Sequence, residues 1–119
     1  MPIIHVSETG KQDTRRKRYF MEFAANSICS HTNTLPKNIY VYFHEMEPEN
    51  VRKTAPTVRI DWTMILDRTN EVKKAIMGEL TDELAKLTGE NRSEIAIIFN
   101  DIPLPNAILG GITRADNYN

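Results

Sequence analysis

The residue best placed to do chemistry is Pro2. A small residue after an initiator methionine permits removal of Met1, so the expected mature chain begins at Pro2 with a free secondary amine. An ordinary α-amino group has a pKa of about 7.7–8.0. Burial in an apolar pocket disfavours the charged form and lowers that value. A neutral amine near pH 7 is a competent general base, and its protonated form a competent acid. The pyrrolidine ring also holds the nitrogen rigidly. Met-Pro alone is a common way for a chain to begin. Here Ile3-Ile4-His5-Val6 follows at once and reads as a strand, which fixes the amine at the end of a sheet.

Other reactive side chains are sparse. His5, His31 and His44 have no paired metal spacing, so neither a metal nor a cofactor is expected. Cys29 sits beside an apolar stripe and reads as core rather than nucleophile. There is no Ser-His-Asp set, phosphate loop or basic-aromatic nucleic-acid surface.

The elements that must position Pro2 come in two rounds. After the first strand, Gly10-Lys11 makes a turn, and Asp13 or Thr14 caps a helix. That helix carries Phe20, Phe23, Ala24, Ser27 and Ile28 on one stripe. Its first turns hold Arg15, Arg16, Lys17 and Arg18, an odd run for a helix N-terminus. The run is either a solvated face or an anion-attracting rim. A second strand spans 39–46, with Ile39, Val41 and Phe43 on one face and Tyr40, Tyr42 and His44 on the other. The pattern then restarts. A strand is expected over 57–66, a turn and cap over 67–70, and a helix with Val72, Ile76, Leu80, Leu84 and Leu87 on one face, stopped at Gly89. A last strand covers 95–99.

The late strands align at an offset of 56 residues: Ile39 with Ile95, Val41 with Ile97, Phe43 with Phe99, Glu45 with Asp101. The same offset sets Pro2 against Val58. This reads as an internal duplication, β-α-β twice. Strands joined through a helix should run parallel. The expected fold is an α/β two-layer sandwich, a four-stranded sheet with two helices on one face. Repeat one is 2–56, repeat two 57–111, and a tail 112–119 follows. The segment from Ile102 on reads as loop or short hairpin, either a loose end or a piece packing on a neighbouring subunit. The other sheet face is left bare, which argues for oligomerisation.

Composition narrows the partners. The 119 residues suit one domain, with 40% hydrophobic content and a formal net charge of -1. No global field favours nucleic acid or a membrane surface. No apolar run approaches the ~18–20 residues of a membrane span, and there is no signal peptide. With one cysteine an internal disulfide is impossible. A cytoplasmic protein is the expectation.

Pro2-Ile3-Ile4, Gly10-Lys11, a helix, and a strand ending Glu45-Met46 resemble 4-oxalocrotonate tautomerase (4-OT) and the tautomerase superfamily. Asn100-Asp101-Ile102-Pro103 with Ile108-Leu109-Gly110-Gly111 resembles that family's C-terminal segment. The duplication looks like the fused tautomerases, and 37–46 looks like the late strand of cis-3-chloroacrylic acid dehalogenase. The resemblance covers nearly the whole chain. It implies a homotrimer of fused chains, and keto-enol tautomerisation of a small enol or 2-oxo carboxylate with Pro2 as acid/base.

The resemblance also assigns residues. The family's proline matches Pro2. Its arginine after the first strand matches Arg68 in repeat two and, more loosely, Lys11 in repeat one. A cation there would hold the substrate carboxylate, and fused relatives favour Arg68; otherwise it is a surface turn residue. The family's second arginine matches Tyr40 and Ala96, and its aromatic wall residue matches Val51 and Ala107. Tyr40 or Tyr42 could instead donate to a carbonyl or enolate oxygen, or simply pack between subunits. Glu49 lies in the loop of the dehalogenases' water-activating glutamate, but repeat two has Pro105 and Asn106 there. Besides an isomerase, the open readings are a vestigial binding or structural trimer, a hydratase, dehalogenase or decarboxylase relative, and an unrelated ferredoxin-like binding module.

Overall fold

Alternating aliphatic and polar residues build four strands, β1 (Ile3–Thr9), β2 (Tyr40–Met46), β3 (Thr57–Thr63) and β4 (Ala96–Ile102), in the order β2-β1-β3-β4. The computed structural model describes residues 1–117; Tyr118 and Asn119, the last of the 112–119 tail, lie outside the described residues. β1 runs parallel to β2, and β3 to β4, while β1 and β3 meet antiparallel at the centre. The helices α1 (Thr14–His31) and α2 (Asn70–Thr88) cover one face. Ile4, Val6, Val58, Ile60 and Trp62 point into the layer between them, against Phe20, Ala24, Ile28, Ile76, Leu80 and Leu84. Val41 and Phe43 join from β2, and Tyr40, Tyr42 and His44 are exposed on the open face, as the period-two reading predicts.

The helices run antiparallel, and this gives Arg16 of the basic run a partner. Arg16 donates from Nη2 to the Lys86 carbonyl (2.8 Å), near the C-terminal end of α2, where unsatisfied carbonyls favour a cation. Lys17 pairs with Glu45 (3.0 Å). Position 13 caps α1 in backbone terms, but the Asp13 side chain makes no cap hydrogen bond; Thr69 caps α2 by accepting from Val72 N (3.2 Å). Gly89 closes α2 at φ 77°, in the left-handed region that favours glycine.

Two expectations are corrected in detail, and at the C-terminal segment the structure decides between loop and hairpin. β3 stops at Thr63, because Arg68 N turns back to Ile65 O (3.0 Å) and the 64–66 segment leaves the sheet. The C-terminal segment forms a hairpin on its own chain, β5 (Ile108–Leu109) with β6 (Ile112–Thr113), turning at Gly110 and Gly111 with φ 63° and 79°. The hairpin straddles the 111/112 division. The duplication also has two offsets. Tyr40 stands level with Ile3, and Ala96 with Thr57, so the first strands align at 54 residues while the helices and late strands keep 56. Two extra residues in the 64–69 loop, compared with 10–13, absorb the difference. The counterpart of Pro2 is therefore Pro56, a buried mid-chain proline with no free amine, and not Val58.

Candidate active site

Pro2 is fully buried at the start of β1, and its carbonyl accepts from Tyr40 N (3.0 Å). Extending the register by one residue sets Pro2 level with Ile39 and Trp62. Because β3 is antiparallel to β1, the end of β3 and the loop after it return to the chain's beginning. That brings Arg68 to the same end of the sheet as Pro2.

Arg68 is only 7% exposed and tightly held. Its Nη1 donates to the carbonyl (2.7 Å) and hydroxyl (3.0 Å) of Thr63, and Nη2 donates to Thr34 Oγ1 (3.1 Å). The guanidinium lies over the Trp62 ring, 4.9 Å from its centroid. Trp62 is buried against Phe99 (4.5 Å between centroids) and donates from Nε1 to Asp101 (2.8 Å). Burial pushes the Asp101 carboxyl up, but hydrogen bonds from Lys73 and Trp62, with the charges of Lys73 and Arg68, outweigh it and hold the group below its ordinary value. The result is a cation locked in one pose, supported from beneath by an aromatic plane and an ionised acid.

Electrostatics single out the amine end of the chain. The Met1 amine is pushed from 8.0 down to about 5, by burial first and then by the positive charges of Arg68 and Arg114. Both arginines thus act on the place where the chain begins. Arg114, 6% exposed, follows β6, and its backbone N donates to Ala107 O (2.9 Å).

The other residues singled out from the sequence fall elsewhere. Lys11 follows the far end of β1, a strand length or roughly 20 Å from Pro2, and is exposed near Glu45. Tyr40 bonds Pro2 through its backbone, but its side chain stands on the open face, across the sheet from the helix-side face. Within one chain the structure therefore unites Pro2 with Arg68 and separates both from the Lys11 and Tyr40 side chains. At the far end, Glu8 takes the place of Trp62 and Gln12 that of Arg68, and the two hydrogen-bond each other. Burial pushes Glu8 up, ahead of the opposing pull of Gln12. The Lys-acid pair, by contrast, is duplicated, as Lys17–Glu45 and Lys73–Asp101.

Sequence reasoning missed Trp62, Thr34 and Arg114. Of the support beneath Arg68, the Asp101–Lys73 pair had a signal, since both members recur at the 56-residue offset. A cavity of about 470 Å³ opens beside the site, lined by Asn33, Met64, Ile65, Leu66, Asp67 and Leu104, a size suited to a small ligand. Asn33 N donates to Asp67 Oδ2 (2.7 Å), tying a repeat-one loop to the repeat-two loop there. Among the described residues no three His, Cys, Asp or Glu side chains are grouped to hold a metal ion, and no helix is long and apolar enough to cross a membrane.

Comparison with known proteins gives this geometry a lineage. No curated protein matches the chain. Among solved structures, it superposes on Pt0534 inactivated by 2-oxo-3-pentynoate with a TM-score of 0.87 at 18% identity, over 98% of this chain and 99% of that one. A fused 4-OT symmetric trimer matches with a TM-score of 0.87 at 14% identity over the same shares. FG41 malonate semialdehyde decarboxylase inhibited by 3-bromopropiolate gives 0.73 at 13%, over 91% and 88%. At such identities these likenesses concern the fold. The family model described as "Tautomerase enzyme" matches residues 56–116, just over half of the chain. Joined to the duplicated β-α-β sheet, that match places this chain in the tautomerase family, in its fused two-repeat form.

Proposed function

We propose that this protein is a tautomerase in which the Pro2 amine, free once Met1 is removed, moves a proton within a small enol or 2-oxo carboxylate. Pro2 nitrogen takes the proton of the enol hydroxyl, the oxygen electrons close to a carbonyl, and the protonated nitrogen returns a proton to carbon. The observation that carries the reading is the amine environment: burial with Arg68 and Arg114 drives the chain's amine down to about 5 at Met1. A neutral base at pH 7 follows from that environment. Arg68 holds the substrate carboxylate, its pose set in advance by Thr63, Thr34 and Trp62. One site per chain follows, since Pro56 has an amide nitrogen.

The test is ketonisation of phenylenolpyruvate by protein verified by intact mass to begin at Pro2. Arg68→Ala should lower kcat/KM by about 10–100-fold, the scale of a charged hydrogen bond of ~1.5–3 kcal/mol. Lys11→Ala should change it little, because Lys11 lies at the other end of the sheet. Equal losses for the two variants would show that a neighbouring subunit brings Lys11 to the site, and no ketonisation by the parent protein would refute the reading.

The assembly is a homotrimer in this reading. The open sheet face exposes Ile98 (62%), Tyr40 and Tyr42, the last stacked on His5, and a fused 4-OT of the same fold forms a symmetric trimer. Light scattering at micromolar concentration should give three times the 13.7 kDa chain mass; a monomer mass would rule the trimer out.

A further inference from the structure

We infer that the open sheet face docks further copies of this chain only while its His5–His44 pair carries at most one positive charge, so that acid takes the assembly apart. The inference rests on the homotrimer of the proposed function. His5 Nδ1 and His44 Nε2 stand 3.0 Å apart, with the two rings stacked at an interplanar angle of 14°. One of these nitrogens donates and the other accepts. With both rings fully protonated, two N–H groups would point at each other across that distance, and two like charges would meet. Tyr42 stacks on His5 as well, 5.7 Å between centroids, so the rings cannot simply swing apart within the sheet. The first proton is shared by the pair, and the second breaks it.

The surroundings do not balance a second charge. Among the described residues, the titratable and charged side chains of this face are His5 from β1, Tyr40, Tyr42 and His44 from β2, and Arg59 and Asp61 from β3; β4 presents Ala96, Ile98 and Asn100. Both helices pack on the other face. Asp61 Oδ2 lies 3.7 Å from His5 Nε2, but Asp61 already accepts from Arg59 Nε (3.2 Å) and Asn100 Nδ2 (3.2 Å). Burial first, and then the charge of Arg59, pulls His5 below its ordinary value, against the opposing pull of Asp61. A cavity of about 190 Å³ bounded by Ser7, Arg59 and Ile98 opens beside the pair, within reach of a neighbouring copy. A copy that covers this face removes more water and penalises the charged rings further. Separate chains therefore bind more protons than the trimer, and a falling pH favours separate chains. The stability of the assembly is present above the ordinary histidine value of about 6.5 and is lost below it.

The test is sedimentation velocity of dye-labelled protein over a dilution series from micromolar to nanomolar, at about pH 7.5 and about pH 5.5, either side of the ordinary histidine value. Excluding one proton per chain costs about 10-fold per chain at one pH unit below that value, so the concentration at half assembly should rise about 10-fold or more in acid. The double variant His5→Gln with His44→Gln keeps polar groups in both places without an ionisable ring, and its two midpoints should agree within about 3-fold. His31→Gln removes the remaining histidine, which meets Glu79 (2.6 Å) between the helices, and should keep the shift of the parent protein. Should the double variant not assemble at the higher pH, His44→Gln alone serves and should shift less than the parent. The inference is overturned by a parent midpoint that is the same at both pH values, a trimer that persists at every dilution in acid, a full shift in the histidine-pair variants, or its loss in His31→Gln; each leaves the trimer standing. A monomer mass at every concentration at the higher pH refutes the trimer and the inference with it.

Discussion

Protein whose Pro2 nitrogen is blocked should ketonise phenylenolpyruvate about 10²–10⁴-fold more slowly than protein that begins at Pro2, the usual worth of a positioned general acid/base. Two blocks are available. Retention of Met1 turns the proline nitrogen into an amide without a basic lone pair. The Met1 amine is then free, and at about 5 it is neutral near pH 7. It stands about 3.8 Å further along the chain, however, and brings a side chain into the site. Covalent capture by a 3-halopropiolate removes the lone pair without changing the sequence. If either blocked form is as fast as the free one, Pro2 is not the base.

The same argument sets the pH profile of the free form. Burial and two nearby cations penalise the protonated amine, so the Pro2 amine should titrate below the 8.0 of an ordinary terminus, in the direction seen at Met1. A base works in its neutral form, so kcat/KM should rise with pH through that lowered value and then level off. A rise centred at 8 or above would mean that the amine is not buried with the arginines in the working enzyme.

Trp62→Ala should destabilise the protein by about 3–5 kcal/mol, the range for losing a large aromatic from a packed core. The indole is buried against Phe99, carries the Arg68 guanidinium on its face, and donates to Asp101. Removing it leaves a cavity, frees Arg68 from its platform and takes a donor from a carboxylate held low by its partners. Activity should fall with stability, and in the folded fraction KM should rise as the anion site loosens. Trp62→Phe separates the roles. It refills much of the space but leaves Asp101 without Nε1, at a cost of about 1.5–3 kcal/mol. Urea denaturation followed by circular dichroism measures both, since the chain's one tryptophan is the residue removed. A loss below about 1 kcal/mol for the alanine variant would show that the Trp62 layer is not the centre of this end of the core.

The fold was legible because its signals are local. Period-two alternation in 39–46 and 95–99, the i+4 stripe through Ile76, Leu80 and Leu84, and Gly89 at the helix end each depend on residues close in the chain. Repetition of that set at a fixed offset disclosed the duplication. The same offset misled at the first strand, because a two-residue insertion lies between β3 and α2, and loop length leaves no mark on strand periodicity. Strand pairing was needed to show that Pro56, and not Val58, answers Pro2.

The candidate site divides differently. Pro2 could be singled out from the sequence because its chemistry depends only on being second after Met1 and on the strand that follows. The sequence also marked Arg68 and Lys11 as cations beyond the first strand of each repeat, and only the resemblance to fused relatives favoured Arg68; strand periodicity did not separate the two. Their placement relative to Pro2 within one chain is set by the antiparallel contact of β1 and β3, a pairing between segments fifty or more residues apart, which carries the end of β3 to Pro2 and the end of β1 away. Tertiary structure alone likewise slid Trp62 beneath Arg68, reached Thr34 across from the other repeat and brought the charge of Arg114 to bear on the amine. Local propensity determines which residues form a strand or a helix. The ends that meet are decided by how the two β-α-β halves join into one sheet and bury their shared apolar face, and that is settled only when the whole chain packs.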